Sequence, residues 1–366
     1  MNILVLGAGR MGLGAAHDFA SQPDVERVTV ADMDGDKARF IAERVGPKVH
    51  PVQLDVTDDA VVELMRGHAA VLSCVVYKLN VQLAKAAVEA GTNFCDLGGN
   101  NYVVDEELAL DPQARERGVN IIPDCGLAPG MVAVLVAHGV ERFETVDEVH
   151  IRVGGLPQDP KPPLDYQMVF SVEGLINEYV ERARVMRGGK IVEVDSMTEL
   201  ESLDFPEPFG TMEAFQTSGG TSTLPETYLG RIRDLDYKTI RYPGHCDKFK
   251  TMIDLGLCHG AARPVFADLL VRHLPHDEPD VVLVRVEFKG DGGKTLRYDI
   301  IDRQDEATGL SAMMRTTAFP AAIVALMMAR GQITKKGALP QERCVPPALF
   351  MEELAKRNIV VDESWV

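Results

Sequence analysis

Short runs of consecutive apolar residues alternate with longer stretches of helical periodicity through the first third of the chain. Ile3-Leu4-Val5-Leu6 reads as a strand, followed by a helix over 11–20. A second strand over 25–31 carries the β-branched Val28 and Val30 and leads into Asp32. The pattern continues with a helix over 37–45, a strand over 48–54 and a helix over 61–66. The run 69–76 is almost wholly apolar, as a strand buried on both faces of a parallel sheet requires. A helix over 80–90 stops at Gly91, a strand follows over 92–96, a helix over 106–117 stops at Gly118, and 119–123 is a sixth strand. Strand and helix alternate at spacings suited to right-handed crossovers, so the pattern predicts an α/β, doubly wound parallel sheet of Rossmann type.

Beyond residue 130 the rhythm changes. Strands are expected over 146–153, 190–194, 237–241, 281–290 and 295–302, with Gly290-Asp-Gly-Gly293 turning between the last two. A helix over 172–182 places Val172, Leu175, Ile176, Tyr179 and Val180 on one face, and a long helix is expected over 311–330. Together these describe a second, α+β domain.

Composition narrows the function classes. Lys+Arg 38 against Asp+Glu 55 leaves a formal charge of −17, which repels nucleic acid and anionic lipid, and no basic patch offsets it. The apolar run 318–329 is interrupted by Pro320 and is shorter than the ~20 residues a bilayer demands. Neither nucleic acid nor membrane is therefore expected as a partner. Cys74, Cys95, Cys125, Cys246, Cys258 and Cys344 form no CxxC pair, which reads as reduced thiols in a cytoplasmic protein. His273-x-x-His276 has too few ligands for a metal site, and none is expected.

Gly7-Ala8-Gly9-Arg10-Met11-Gly12 matches GxGxxG in the required context: after a strand, opening a helix, and answered by Asp32 at the end of the next strand. Gly7 allows the tight turn, Gly9 the approach of a pyrophosphate and Gly12 close helix–strand packing, while the helix N-terminus offers N–H donors to phosphate. Asp32 can accept from both ribose hydroxyls and repels a 2′-phosphate, which points to NAD; Arg10 points the other way. Asp55-Val56 is placed to hold an adenine edge, and the Cys74-Val75-Val76-Tyr77 loop to lie beside the nicotinamide.

Phe94-Cys-Asp-Leu-Gly-Gly99, Pro123-Asp-Cys-Gly-Leu-Ala-Pro-Gly130 and Arg241-Tyr-Pro-Gly-His245, taken with the fingerprint, resemble the saccharopine dehydrogenase family. Val153-Gly-Gly-Leu-Pro157 is similar to the glycine-rich substrate segment of the saccharopine reductases. Ser171-Val-Glu-Gly-Leu-Ile-Asn-Glu-Tyr179 and Lys238–His245 look closer to the lysine 6-dehydrogenase branch. The resemblance implies a Rossmann domain over 1–127 and 310–366 and an inserted α+β domain over 128–309 for substrate binding and dimerisation. It also implies oxidation of an amine by NAD in a homodimer or higher homo-oligomer.

Amine oxidation needs a base for the amine proton, and an α-amino-acid head group needs a cationic clamp and an acceptor for its ammonium. Asp96 and Asp124 end the fifth and sixth strands and can hold a cationic amine, with one pushed towards neutral pH by the other; Asp96 also suits a loop cap. Tyr77 is a proton relay or a ring packed under the cofactor. Cys125 reads as a packed thiol. Arg241, presented by a Pro-Gly turn, is the expected carboxylate clamp, and His245 a proton shuttle or a turn-holding residue. Glu173 and Arg315 are secondary candidates for ammonium and carboxylate, and 219–223 is a flexible loop able to close over substrate. The expected activity is oxidation of the ε-amine of L-lysine to the semialdehyde. Two rivals are a saccharopine- or carboxynorspermidine-type reductase joining an amine and a semialdehyde, and a non-catalytic NAD-binding regulator.

Overall fold

The computed structural model describes all 366 residues, and the chain divides into two compact units. The first half runs β1 (Asn2–Leu6), α1 (Arg10–Ser21), β2 (Arg27–Asp32), α2 (Gly35–Val45), β3 (Val49–Gln53), α3 (Ala60–Met65), β4 (Ala70–Ser73) and α4 (Asn80–Ala90). It continues with β5 (Asn93–Asp96), α5 (Asn101–Leu108), α6 (Asp111–Arg117), β6 (Asn120–Ile122), α7 (Val132–Val140), β7 (Val146–Pro157) and α8 (Val172–Val180). Then come β8 (Ala183–Arg187), β9 (Lys190–Val194), β10 (Glu201–Phe205), β11 (Gly210–Gln216), α9 (Leu224–Thr227), β12 (Asp234–Arg241), α10 (His245–Asp254) and α11 (Ala262–His273). The chain closes with β13 (Asp280–Gly290), β14 (Lys294–Arg303), α12 (Ala312–Ala329), β15 (Gly337–Ala338), α13 (Gln341–Cys344), α14 (Pro347–Lys356) and β16 (Asp362–Trp365).

The first unit contains Met1–His138 and Met314–Asn358. Its seven-stranded sheet has the order β3-β2-β1-β4-β5-β6-β15, with every pair parallel. Strand order reverses between β1 and β4, the switch point at which α/β sheets bind ligands. The expected helix over 106–117 is two helices, because Pro112 lacks the N–H needed to continue one and instead starts α6. α14 was not expected; α7 is apolar all round and gives no amphipathic period. α12 is long and apolar enough by composition to cross a membrane, and 89% of it is buried inside the protein. Gly14 of α1 lets α12 approach closely: a methyl there would lie 3.0 Å from the Ala318 side chain.

The second unit contains Gly139–Met313 and Ile359–Val366. These limits differ from the expected 128–309, and the last eight residues belong here because β16 adds to the edge of β14. The mixed sheet runs β10-β11-β12-β7-β13-β14-β16, with β8 and β9 branching from β12, and only β12 and β7 are parallel. β7 extends beyond 153 through Gly154 and Gly155, where side chains would collide with Ile240 and Met313. β8, β10, β11 and β16, with α10 and α11, were not foreseen. One sheet face carries Leu235, Tyr237, Thr239 and Arg241 of β12 beside Val149, Ile151 and Val153 of β7. The other carries ions: Asp236 accepts from His150 Nδ1 at 2.8 Å, Arg152 Nη1 at 2.7 Å and Arg187 Nη2 at 2.9 Å. These charges lie in or near the interior with their hydrogen bonds made, as interior charges must.

Asp280 fixes the start of α12 by accepting the N–H groups of Ala312 at 2.6 Å and Met313 at 2.9 Å. It is 1% exposed, so its removal strands two donors away from water. Asp280→Ala is expected to cost about 1–3 kcal/mol. Urea unfolding measures this, and an unchanged midpoint would remove the cap from the account.

Candidate functional site

A groove of about 830 Å³ opens along the carboxyl ends of β2, β3, β1 and β4. Gly7, Gly9, Asp32, Asp55, Val56, Cys74, Val75 and Val76, all proposed from sequence, line it. Met33 to Lys37, Arg39, Gln53, Leu54 and Leu79 complete its wall. Gly7 has φ +98°, and a methyl on Gly12 would lie 2.0 Å from the Gly7 carbonyl oxygen. A side chain on Gly9 would meet nothing within 4 Å, so the space above the first turn of α1 is open. Asp32 Oδ2 accepts from Ala8 N at 2.7 Å and Oδ1 from Asp34 N at 2.8 Å, which aims the carboxylate across the turn. Asp55 is held by the Thr57 backbone N–H and hydroxyl, which lower its pKa. Arg10 and Met11 open α1 outside the groove lining, and Gly12 is buried beneath it. An open helix N-terminus, a bare glycine approach and an acid at the second strand fit a dinucleotide.

Tyr77, Asp96 and Asp124 come together in the same unit. Asp96 Oδ1 accepts from Gly98 N at 2.6 Å and Asp124 N at 3.2 Å, the loop-cap role. Asp124 sits at φ 60°, and its Oδ1 occupies the place where a Gly98 side chain would begin. The Tyr77 ring rests on Gly99 in the same loop. Asp96 is 0% exposed and Asp124 5%, so of the two only Asp124 reaches the surface of this cluster. Behind them lies Glu107 of α5, 0% exposed and within hydrogen-bond reach of Asp96. Burial, then the Asp96 charge, pushes the Glu107 carboxyl far up, so it is the protonated partner. Residue pattern alone does not single it out, because a glutamate in the body of a helix reads as a solvated face.

Arg241 and His245 come together in the second unit. Arg241 is 2% exposed; its Nε donates to the Tyr179 hydroxyl at 2.8 Å and its Nη1 to Ile240 O at 2.9 Å. Its guanidinium carbon lies 4.8 Å from the centre of the Tyr166 ring and 5.7 Å from that of Tyr179. His245 Nδ1 donates to Leu164 O at 2.9 Å, and Nε2 stands 3.1 Å from the Tyr179 hydroxyl, accepting its proton. Burial, then the Arg241 charge, lowers the His245 pKa to about 3, so it does not act as a shuttle near neutrality. It is the fixed end of a chain that orients Arg241. Tyr179 was legible from sequence only as a core position of α8.

The remaining candidates have other duties. Cys125 is fully buried, and burial raises its thiol pKa. Glu173 is exposed and paired with Arg263 at 2.7 Å. Arg315 donates to the carbonyl oxygens of Arg357 and Asn358, tying down the end of the first unit. The 219–223 segment is packed: Thr221 Oγ1 bonds Arg184 O at 2.7 Å and Gly220 lies against the Tyr237 ring.

Residues 126–360 match the family model described as Saccharopine dehydrogenase C-terminal domain, and 3–122 the one described as Saccharopine dehydrogenase NADP binding domain. The saccharopine dehydrogenase [NADP(+), L-glutamate-forming] of Saccharomyces cerevisiae is 24% identical over 73% of this chain, and the match spans 60% of that protein's length. The carboxyaminopropylagmatine dehydrogenase of Synechocystis is 22% identical over 98% of this chain and 96% of its own. The solved apo saccharopine dehydrogenase (L-Glu forming) of Saccharomyces cerevisiae superposes with a TM-score of 0.81 at 21% identity. That superposition covers 100% of this chain and 99% of the other.

The Asp96–Glu107 pair predicts a pH effect on stability. Glu107 faces Asp96 and Asp124, and its pKa is higher folded than unfolded. Its contribution is therefore full below the unfolded value near 4.3 and falls as pH rises, by up to about 1.4 kcal/mol per unit. Glu107→Gln keeps the shape, cannot ionise, and should gain on the wild type between pH 5 and pH 8 in urea unfolding. Parallel pH dependence of the two proteins would show that Glu107 is ionised in the fold.

Proposed function

The chain belongs to the saccharopine dehydrogenase family, and on that premise we propose that it is an NAD-dependent oxidoreductase acting on the primary amine of an amino acid, foremost the ε-amine of L-lysine. Lysine, NAD⁺ and water then give the semialdehyde, ammonium, NADH and a proton, and the semialdehyde cyclises to piperideine-6-carboxylate. The observation that carries this reading is Arg241, a buried guanidinium with no carboxylate of the protein in ion-pair contact. A buried cation left in that state marks a place for an anionic ligand group.

The dinucleotide, when bound, supplies the hydride acceptor. Asp32 holds the ribose hydroxyls, and the N–H groups at the start of α1 meet the phosphates. Asp124 takes the amine proton, Asp96 keeps the loop shaped through Gly98 and the Asp124 backbone, and Tyr77 lies beside them as a donor. Arg241 clamps the carboxylate. NAD is favoured over NADP by the charge on Asp32 and the neighbouring Asp34 and Asp36, although the matched nucleotide-binding family is described with NADP. The six free cysteines accord with a cytoplasmic protein, and we read it as a homodimer or higher homo-oligomer.

A second reading, a reductase joining an amine and a semialdehyde, is favoured by the relative that spans nearly the whole chain. Such a reaction calls for two carboxylate clamps. Arg315 does not supply the second, because its guanidinium is bonded to backbone carbonyls.

NADH absorbance on mixing the protein, NAD and L-lysine is expected to rise; turnover only with a conjugated amine would favour the second reading. Arg241→Ala should raise the lysine KM by about 10- to 100-fold, equivalent to roughly 1.5–3 kcal/mol, and spare NAD affinity. Asp32→Ala should weaken NAD by about tenfold and narrow its advantage over NADP. Unchanged NAD affinity in that variant would remove Asp32 from the ribose site.

A further inference from the structure

Asp124 adopts φ 60°, a left-handed conformation that a residue with a side chain holds only where its surroundings fix it. That conformation is defined by the orientation of the peptides on either side. The Asp124 N–H donates to Asp96 Oδ1 at 3.2 Å, which sets the first peptide. In the second, Cys125 N donates to Asp96 O at 2.7 Å. A trans peptide points its carbonyl opposite to its N–H, so Asp124 O faces away from β5 and needs a donor from elsewhere. It receives Gln341 Nε2, from the C-terminal segment of the first unit.

Sheet register brings that side chain to the right height. β15 lies parallel to β6, with Ala338 opposite Ile121, and Gly337 N and Leu339 N donate to Val119 O and Ile121 O, both at 3.0 Å. Parallel neighbours advance at the same rate. Gln341, three residues after Ala338, therefore leaves the sheet level with Asp124, three residues after Ile121. Pro340 is still extended, and α13 begins at Gln341 itself. A methyl on Gly130 would lie 3.0 Å from Asp124 O, so the bare glycine keeps room beside that carbonyl.

Packing alone does not call for an amide here. Gln341 is 2% exposed, and its Oε1 is buried with no hydrogen-bond partner. An unmet acceptor costs stability that a leucine or methionine of similar size avoids. Lysine or arginine could also donate to the carbonyl, but a cation beside Asp124 weakens it as a proton acceptor. A carboxylate would add an acid to the group already formed by Asp96, Glu107 and Asp124. The carboxamide donates without bringing charge.

We propose that Gln341 is a positioning residue for the proton-accepting step: by holding the peptide after Asp124, it keeps the Asp124 carboxylate seated on Gly98, in place to take the amine proton. The assignment rests on the reading of Asp124 as the base, and its geometry belongs wholly to the first unit.

Gln341→Met, of similar volume and without a donor, should lower kcat for lysine about 10- to 100-fold, with lysine KM and NAD affinity held within about threefold. Gln341→Asn, whose amide falls one methylene short of the carbonyl, should show the same split. A fall in kcat accompanied by an equal loss of NAD affinity would mean that the first unit had loosened as a whole, and would overturn the assignment. The sharper comparison uses an Asp124→Asn background, in which Gln341→Met should cost less than about threefold because the carboxylate it serves is gone. The full loss repeated in that background would overturn it as well. Amide hydrogen exchange needs no substrate and separates this idea from the dehydrogenase reading. If the wild type oxidises no lysine, yet Gln341→Met speeds exchange at the Asp124 and Cys125 amides and leaves β1 unchanged, the positioning role stands and the dehydrogenase reading falls. Unchanged exchange at both amides removes Gln341 from the role.

Discussion

The first unit depends on one close approach, that of α1 to the turn after β1. No side chain fits between Gly12 and the Gly7 carbonyl, and Gly7 itself takes a left-handed conformation. The turn must therefore reverse within a few atoms of the sheet. That brings the N-terminus of α1 to the edge where β1 and β4 part, and Cys74 N closes the gap by donating to Leu6 O at 2.7 Å. A looser turn would move the helix dipole and its free N–H groups away from the strand ends.

Where apolar runs were short and punctuated by glycine, the first unit was legible from its residues, as at Ile3–Leu6, while the run 69–76 yields a strand only over Ala70–Ser73 because its end leaves the sheet and exposes Val76. Those strands are buried on both faces and show it in composition. The second unit was harder to read. β10 mixes polar and apolar positions without extent, and β7 carries two glycines whose role lies in contacts distant in sequence. Single-sequence patterning records which face is wet, and a strand beside a charged network has no simply wet face. The candidate site divides the same way. Asp32 and Arg241 could be named because each ends a strand beside a turn. Glu107 could not, since helix position alone does not distinguish a solvated glutamate from one folded inward.

Buried charge is handled in three ways in this molecule. Asp236 is surrounded by cations and by His150, and its carboxyl is held well below the usual carboxylate range despite its burial. Asp96 instead shares its surroundings with an acid that keeps its proton. Arg241 has only neutral hydrogen-bond partners, and its orientation is set by a phenol and an imidazole that carry no charge. The first arrangement is balanced by opposite charge, the second is closed by one proton, and the third rests on neutral hydrogen-bond partners and aromatic rings. Similar burial is thus met by three different local chemistries.

Asp32 has a structural duty of its own. Its two oxygens already receive the N–H groups of Ala8 and Asp34, so the same carboxylate shapes the glycine turn and begins α2. Substituting a small or basic residue at this position would therefore release that turn. A redesign would have to supply a replacement acceptor for the Ala8 amide, so position 32 cannot be altered independently of the glycine turn.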